Sequence, residues 1–147
     1  MLAQNFKTAR QLKISRKTYD ALKVTLDAFE TGKIVHRNLR NAYAVEGYDS
    51  DGSKPKKFGF NMSDWHTHYE CGTVCCIGGA AELFSGITIR EREDPNLYVL
   101  FYPNDIIVWE RVSVAQAAIA LRNYLRDGTA NWRSFIPKSN LYKAYKD

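Results

Sequence analysis

Apolar residues recur with helical spacing in two segments of the chain, and both segments carry signals for a helix start and a helix end. In the first segment, four residues form one stripe with the three- and four-residue spacing of an amphipathic helix, namely Tyr19, Leu22, Leu26 and Phe29. Ser15 is a favourable N-cap, and Gly32 is a favourable C-terminal stop. The pattern predicts a helix over residues 15–31.

The second helical segment begins with a capping box, Ser113 followed three residues later by Gln116. Its apolar face consists of Val114, Ala117, Ala118, Leu121, Tyr124 and Leu125. Gly128 follows the last periodic residue and predicts the stop. We therefore expect a helix over residues 113–127.

Between these helices, two short runs are rich in residues with high β-propensity. The runs cover residues 97–102 and 106–109, and Pro103, Asn104 and Asp105 separate them. A turn-forming triplet between two such runs predicts an antiparallel hairpin over residues 97–110.

Residues 46–57 carry turn formers and charges with little to bury, which predicts a mobile surface loop.

A further helix is predicted over residues 73–85, with Gly86 at its end. Its core-facing residues are Ile77, Ala80, Ala81 and Phe84, and Cys76 lies towards the same side as a small hydrophobe. The opposite side carries Cys75, Gly78, Gly79 and Glu82. Two glycines inside a helix cost about 1 kcal/mol each relative to alanine. Either another element packs closely there, or a ligand or partner binds these four residues.

Taken together, the elements predict a compact α+β fold with three main helices and a small antiparallel hairpin. The chain has 147 residues, the usual size of one domain, so we expect a single domain over residues 1–147. Neither a signal peptide nor a stretch long enough to span a bilayer is visible. Three closely spaced cysteines, at positions 71, 75 and 76, fit a reducing compartment. These features predict a cytoplasmic protein without membrane contact.

One segment has a distinctive signature, Cys71-Gly72-Thr73-x-x-Cys76-Ile77-x-Gly79. Residues 60–62 and Trp65 precede it, and a Gly-x-x-x-Trp ending at Trp132 follows it. This arrangement resembles small uncharacterised bacterial and bacteriophage proteins with a C-G-T-x-x-C-I-x-G motif, over residues 58–132. The resemblance implies a phage or mobile-element setting, and no activity comes with it.

The same segment allows two kinds of chemistry. Cys71 precedes the predicted helix, where the helix dipole favours a thiolate, and His66 and His68 are close enough in sequence to supply a base. A cysteine-dependent enzyme centred on Cys71 is therefore one hypothesis. His66, His68, Cys71 and Cys75 are also zinc-ligand types. Because structural zinc sites usually join two separated ligand pairs and this set is contiguous, we expect no metal and no cofactor.

The net charge of +5 is concentrated in residues 1–58, which contain 12 basic and 6 acidic residues. Such a distribution fits weak, nonspecific binding to nucleic acid. No recognition helix and no aromatic RNA-binding strand is visible. Eleven of these 12 residues are the candidates for such contacts: Lys7, Arg10, Lys13, Arg16, Lys17, Lys33, Arg37, Arg40, Lys54, Lys56 and Lys57.

The sequence favours a small binding or inhibitory protein over an enzyme. No established catalytic signature is present, and the size and the resemblance fit a phage-encoded protein that acts on a host protein. The partner expected from this reasoning is a host or cellular protein. The cysteine-dependent enzyme and the nonspecific nucleic-acid-binding protein are the alternatives.

Overall fold

The computed structural model describes residues 5–36, 58–62, 66–69, 72–89 and 95–142. Its helices are α1 (Ala9–Leu12), α2 (Arg16–Glu30), α3 (Ile77–Ser85), α4 (Tyr98–Phe101) and α5 (Val114–Asp127). Its strands are β1 (Ile34–His36), β2 (Phe58–Phe60), β3 (His66–Tyr69) and β4 (Gly72–Cys75). Short 3-10 turns cover Pro95–Leu97, Trp109–Arg111, Trp132–Ser134 and Lys138–Asn140.

The two longest helices begin at the serines that the sequence indicates. The Ser15 hydroxyl accepts a hydrogen bond from the Thr18 amide at the start of α2. At the start of α5, the Ser113 hydroxyl accepts from the Gln116 amide, and the Gln116 side chain accepts from the Ser113 amide. These bonds satisfy amide groups that have no partner within a helix. The helices predicted over residues 15–31 and 113–127 are confirmed.

The four strands form one small sheet in the order β1-β2-β4-β3. The β1–β2 and β2–β4 pairs are parallel, whereas β3 runs antiparallel to β4. One face of β1 and β2 borders the core, because Ile34 and Phe60 are buried while Val35 is exposed. The described part of the chain is therefore rich in helix and also contains a small mixed sheet.

The hairpin predicted over residues 97–110 is wrong. Residues Tyr98–Phe101 form α4, and Trp109–Arg111 form a 3-10 turn. The reason is visible in the burial, which follows a helical period. Leu97, Leu100 and Phe101 lie on one side of this helix and are at most 1% exposed. Tyr98, Val99 and Tyr102 lie on the other side and are 36–46% exposed. Packing of one helical face has thus overridden the β-propensity of the individual residues.

The helix predicted over residues 73–85 begins later, at Ile77. Residues Gly72–Cys75 form β4 instead, because they pair with β3 on one side and with β2 on the other. Cys76 is the N-cap of α3, and Gly86 ends the helix with a left-handed φ of 65°. An antiparallel pair therefore exists in this fold, but it lies at the cysteine motif.

A single cluster of buried apolar side chains extends from Leu12 to Leu141. Helix α3 packs mainly against α2, and α5 packs against α2 and α4. The C-terminal segment contributes Trp132, Ile136 and Leu141 to the core. This segment therefore packs back onto the core.

The predicted loop over residues 46–57 lies outside the described residues. Within the described ranges, no helix combines the length and the apolar character that crossing a bilayer requires.

Candidate functional sites: the cysteine motif and an aromatic surface

The cysteine motif joins β3, β4 and α3. Cys71 lies outside the described residues, so the hypothesis of catalysis at this position stays a prediction. Cys75 is the last residue of β4, and Cys76 follows as the N-cap of α3. Cys76 is 4% exposed and belongs to the apolar core, which confirms the role that the sequence predicts for it.

The backbone register of β3 and β4 brings histidine and cysteine positions together. His66 is directly opposite Cys75, and His68 is opposite Thr73. Directly opposed residues of an antiparallel pair share one face of the sheet, as do residues two apart on one strand. The positions of His66, His68 and Cys75 therefore belong to one face.

Gly78, Gly79 and Glu82 lie on α3, whereas Cys75 lies in β4, so the four residues do not form one helical face as predicted. Every residue from Ile77 to Ala81 is buried, so this first part of α3 is enclosed on all sides. The burial of both glycines favours close packing of neighbouring elements. A binding role for these four residues stays a prediction.

The Glu82 carboxylate contributes to the end of α3. One of its oxygens accepts a hydrogen bond from the Ile89 amide at 2.7 Å. This bond ties the segment after Gly86 back to the helix. The Glu82 side chain therefore makes a structural contact with the segment that follows α3.

Among the side chains that the structure describes, which exclude those of β3 and β4, no three His, Cys, Asp or Glu are grouped so that they could hold a metal ion.

The described basic residues near the amino terminus include two with acidic neighbours. Arg16 pairs with Asp20 at 3.2 Å, and Lys33 lies 3.8 Å from Asp27. Nonspecific nucleic-acid binding stays a prediction.

A second candidate site is an aromatic surface that is formed by residues of α4, of the segment after α4 and of the C-terminal segment. We define the aromatic surface as Tyr98, Val99, Tyr102, Ile107, Trp109 and Tyr142. Three of its rings are in contact, with centroids 5.7 Å apart for Tyr98 and Tyr102 and 6.3 Å apart for Tyr102 and Trp109. The first pair meets edge to face, an arrangement that aromatic rings favour.

Two adjoining grooves pass along this surface. A groove of about 560 Å³ is lined by Ile107, Trp109 and Tyr142 among others. A groove of about 440 Å³ is lined by Tyr98, Val99 and Tyr102 among others. Pro103 and Asn104 line both grooves, so the two grooves are adjacent.

Comparisons of this chain with protein-family models, with curated proteins and with solved structures found no match.

Partly buried hydrogen bonds fix the backbone beneath the aromatic surface. The Asn140 side chain accepts from the Val108 amide at 2.7 Å and donates to the Val108 carbonyl at 3.0 Å. The Trp132 indole donates to the Val99 carbonyl at 2.9 Å. Ile106 and Leu141 also form a β-bridge. The surface is therefore held by contacts from the C-terminal segment.

The charged residues that line the grooves are Asp105, Glu110 and Arg133. Asp105 lies 3.7 Å from Arg133 in an ion pair whose side chains are 34% and 40% exposed, respectively. Acidic groups therefore outnumber basic ones beside the aromatic surface, although the whole chain has a net charge of +5.

Sequence reasoning missed the aromatic surface because it assigned these residues to a hairpin. A signal was nevertheless present. Leu97, Leu100 and Phe101 have the spacing of one helical face, and Tyr98 and Tyr102 have the spacing of another. A helical assignment would have placed the two tyrosines side by side on the exposed face.

Proposed function

We propose that this protein is a binding or inhibitory protein that contacts another protein through its aromatic surface, without catalysis. One observation carries the proposal. Eight large hydrophobic residues are exposed in the described part of the chain, and five of them line the two adjoining grooves: Tyr98, Val99, Tyr102, Ile107 and Tyr142. The other three, Val24, Val35 and Ile119, are dispersed over α2, β1 and α5.

A cluster of exposed apolar residues indicates a binding surface, whereas a single exposed apolar residue does not, because single ones are common on folded proteins. A contiguous apolar patch leaves a large area in contact with water, and burial of that area against a partner is favourable. Tyrosine and tryptophan add large contact areas with few rotatable bonds, and both are frequent at the centres of interfaces. The composition of the aromatic surface therefore fits protein recognition.

The lining residues suggest the chemistry of the partner. Asp105 and Arg133 beside the grooves form an ion pair with each other, so the surface suits a partner that presents mainly apolar side chains. The resemblance of the cysteine motif to bacteriophage proteins favours a bacterial host protein in this role.

The test compares two isoleucines with nearly equal exposure, 46% for Ile107 on the aromatic surface and 44% for Ile119 on α5. Each is replaced by lysine, and the variants and the unmodified protein are used to capture proteins from a bacterial lysate. Ile107→Lys removes an apolar contact and would bury a charge against an apolar partner, so we expect at least about a 30-fold loss of affinity, equivalent to roughly 2 kcal/mol. Ile119→Lys should capture the partner as the unmodified protein does.

Circular dichroism and thermal melting of both variants serve as the folding control. A captured protein that is retained equally by both variants would contradict the proposal, as would the absence of any protein that Ile107→Lys alone fails to capture. Loss of a self-association that requires Ile107 would identify a second copy of the chain as the occupant, in place of a host protein.

A further inference from the structure

A row of aromatic rings extends from one groove of the aromatic surface to the other. Tyr98 and Tyr102 line one groove, and Trp109 and Tyr142 line the adjacent one. Consecutive ring centroids along Tyr98, Tyr102 and Trp109 are 5.7 Å and 6.3 Å apart. One turn of a polyproline II helix rises about 9 Å over three residues, which is comparable with the length of this row.

From this arrangement we infer that the aromatic surface binds a proline-rich segment of its partner in the polyproline II conformation. The inference rests on the proposed function and specifies the part of the partner that the grooves receive. Proline-rich segments dock into aromatic-lined grooves of peptide-recognition domains. Because their extended conformation is preformed, they lose little conformational entropy on binding.

The backbone beside the grooves is unsuited to the addition of a β-strand. An added strand binds through unpaired amide and carbonyl groups at the edge of a sheet. Here the Ile107 amide donates to the Asn140 carbonyl, and the Tyr142 amide donates to the Asp105 carbonyl, both at 3.0 Å. The amide and the carbonyl of Val108 both bond to the Asn140 side chain. The partner is therefore recognised through side chains that line the grooves.

The side-chain donors distinguish a polyproline II segment from an α-helix. Within the described part of the chain, the hydroxyls of Tyr98 and Tyr142 and the indole nitrogen of Trp109 make no hydrogen bond. Such groups usually find a partner when an interface buries them. The backbone carbonyls of an α-helix are bonded within the helix, whereas those of a polyproline II segment are all unpaired. The backbone of a polyproline II segment can therefore accept hydrogen bonds from these three side chains.

The charges of one groove also match an uncharged segment. The charged residues that line the groove of Tyr98 and Tyr102 are Asp105 and Arg133, and they form an ion pair at 3.7 Å. Each charge offsets the other, so the lining of this groove has no net charge. Proline side chains are apolar and uncharged, and they leave this ion pair intact. Charge complementarity therefore favours a neutral, proline-rich ligand.

The first experiment titrates the full-length protein with an oligoproline of about ten residues and follows binding by NMR. A flexible Gly-Ser peptide of equal length is the control peptide. We expect the oligoproline to bind with a dissociation constant of about 1 mM or lower, to shift the Trp109 indole N–H signal, and to bind more tightly than the Gly-Ser peptide. Ile107→Lys should weaken this binding at least about 10-fold, and Ile119→Lys should leave it unchanged.

Tyr142→Phe tests the hydrogen-bonding step, because it removes a hydroxyl and keeps the ring. We expect it to weaken oligoproline binding about 2- to 10-fold. Circular dichroism and thermal melting show whether the variants are folded. An unchanged affinity in a folded Tyr142→Phe variant would overturn the assignment of this hydroxyl as a donor to the ligand.

The second experiment uses the partner that is captured through Ile107. Saturating oligoproline should release this partner, and cross-links from the aromatic surface should map to a proline-rich segment of it. The inference is overturned if the oligoproline does not bind, if it binds equally well to Ile107→Lys, or if the cross-linked segment is a helix without proline. The proposed function survives each of these results as long as capture depends on Ile107. Capture that is independent of Ile107 contradicts the proposed function itself.

Discussion

Replacing Asn140 with alanine should destabilise the protein by loosening the segment that carries Ile107. The Asn140 side chain is 4% exposed, and its oxygen and its nitrogen each make a hydrogen bond to the backbone of Val108. The backbone bonds from the Ile107 amide to the Asn140 carbonyl and from the Tyr142 amide to the Asp105 carbonyl, both 3.0 Å long, would remain. The substitution therefore removes the two side-chain bonds selectively.

The size of the effect follows from these two bonds. Each contributes about 1 kcal/mol net, and a partly buried amide and carbonyl of Val108 would be left without their partner. We expect the free energy of unfolding to fall by roughly 2–4 kcal/mol in Asn140→Ala, measured by urea denaturation with an unchanged m-value. The variant should also bind the partner of the aromatic surface less tightly.

Asn123→Ala is the matched control. The Asn123 side chain donates to the Ala130 carbonyl at 3.0 Å and accepts an exposed hydrogen bond from the Arg126 guanidinium at 2.9 Å, and alanine is the better helix former within α5. The expected loss is therefore about 1 kcal/mol or less. A loss below about 0.5 kcal/mol in Asn140→Ala, or one no larger than in Asn123→Ala, would refute the assignment of Asn140 as the residue that holds this segment.

Three further outcomes are expected. Gly79→Leu should lower the free energy of unfolding by about 1–3 kcal/mol through overpacking, and a variant that keeps its melting temperature but loses its partner would instead place the binding site on α3. Ser113→Ala should cost about 1 kcal/mol in urea denaturation because it removes the capping box, and an unchanged stability would contradict that role. Binding to DNA or RNA should be sequence-independent and absent at physiological salt in a fluorescence titration, whereas sequence-specific nanomolar binding under those conditions would show that the basic amino-terminal third is a recognition surface.

The parts of the fold that could be predicted from the sequence are those with local causes. Helices α2 and α5 were predictable because a serine cap, an apolar stripe and a closing glycine all lie within about 18 residues. At Gly128, for example, φ is 84° and the amide donates to the Tyr124 carbonyl. Such signals act within one segment and do not depend on tertiary packing.

The sheet could not be predicted in the same way. Strands of three or four residues are too short to show an alternating pattern, and β1 pairs with β2 across more than 20 intervening residues. The cysteine segment is a mixed case. Its apolar spacing and the closing Gly86 indicate a helix, yet residues Gly72–Cys75 form β4 because two neighbouring strands supply backbone partners.

Both candidate sites depend on tertiary information for the same reason. The sequence singles out His66, His68 and Cys75, but only the register places them on one face. The aromatic surface combines residues 98–109 with Tyr142, which the contacts of Asn140 bring alongside. No local pattern connects segments that are separated by more than 30 residues.

The most direct test of the proposed binding function is oxidative footprinting of the protein with and without its captured partner. Hydroxyl radicals label aromatic side chains that solvent reaches, so the exposed Tyr98, Tyr102 and Tyr142 and the partly buried Trp109 should all be labelled in the unbound protein. If the aromatic surface is the interface, labelling of these residues should fall together when the partner is added, while labelling of Ile119 on α5 stays constant. Unchanged labelling of the aromatic surface, with protection of α5 or another face, would contradict the account.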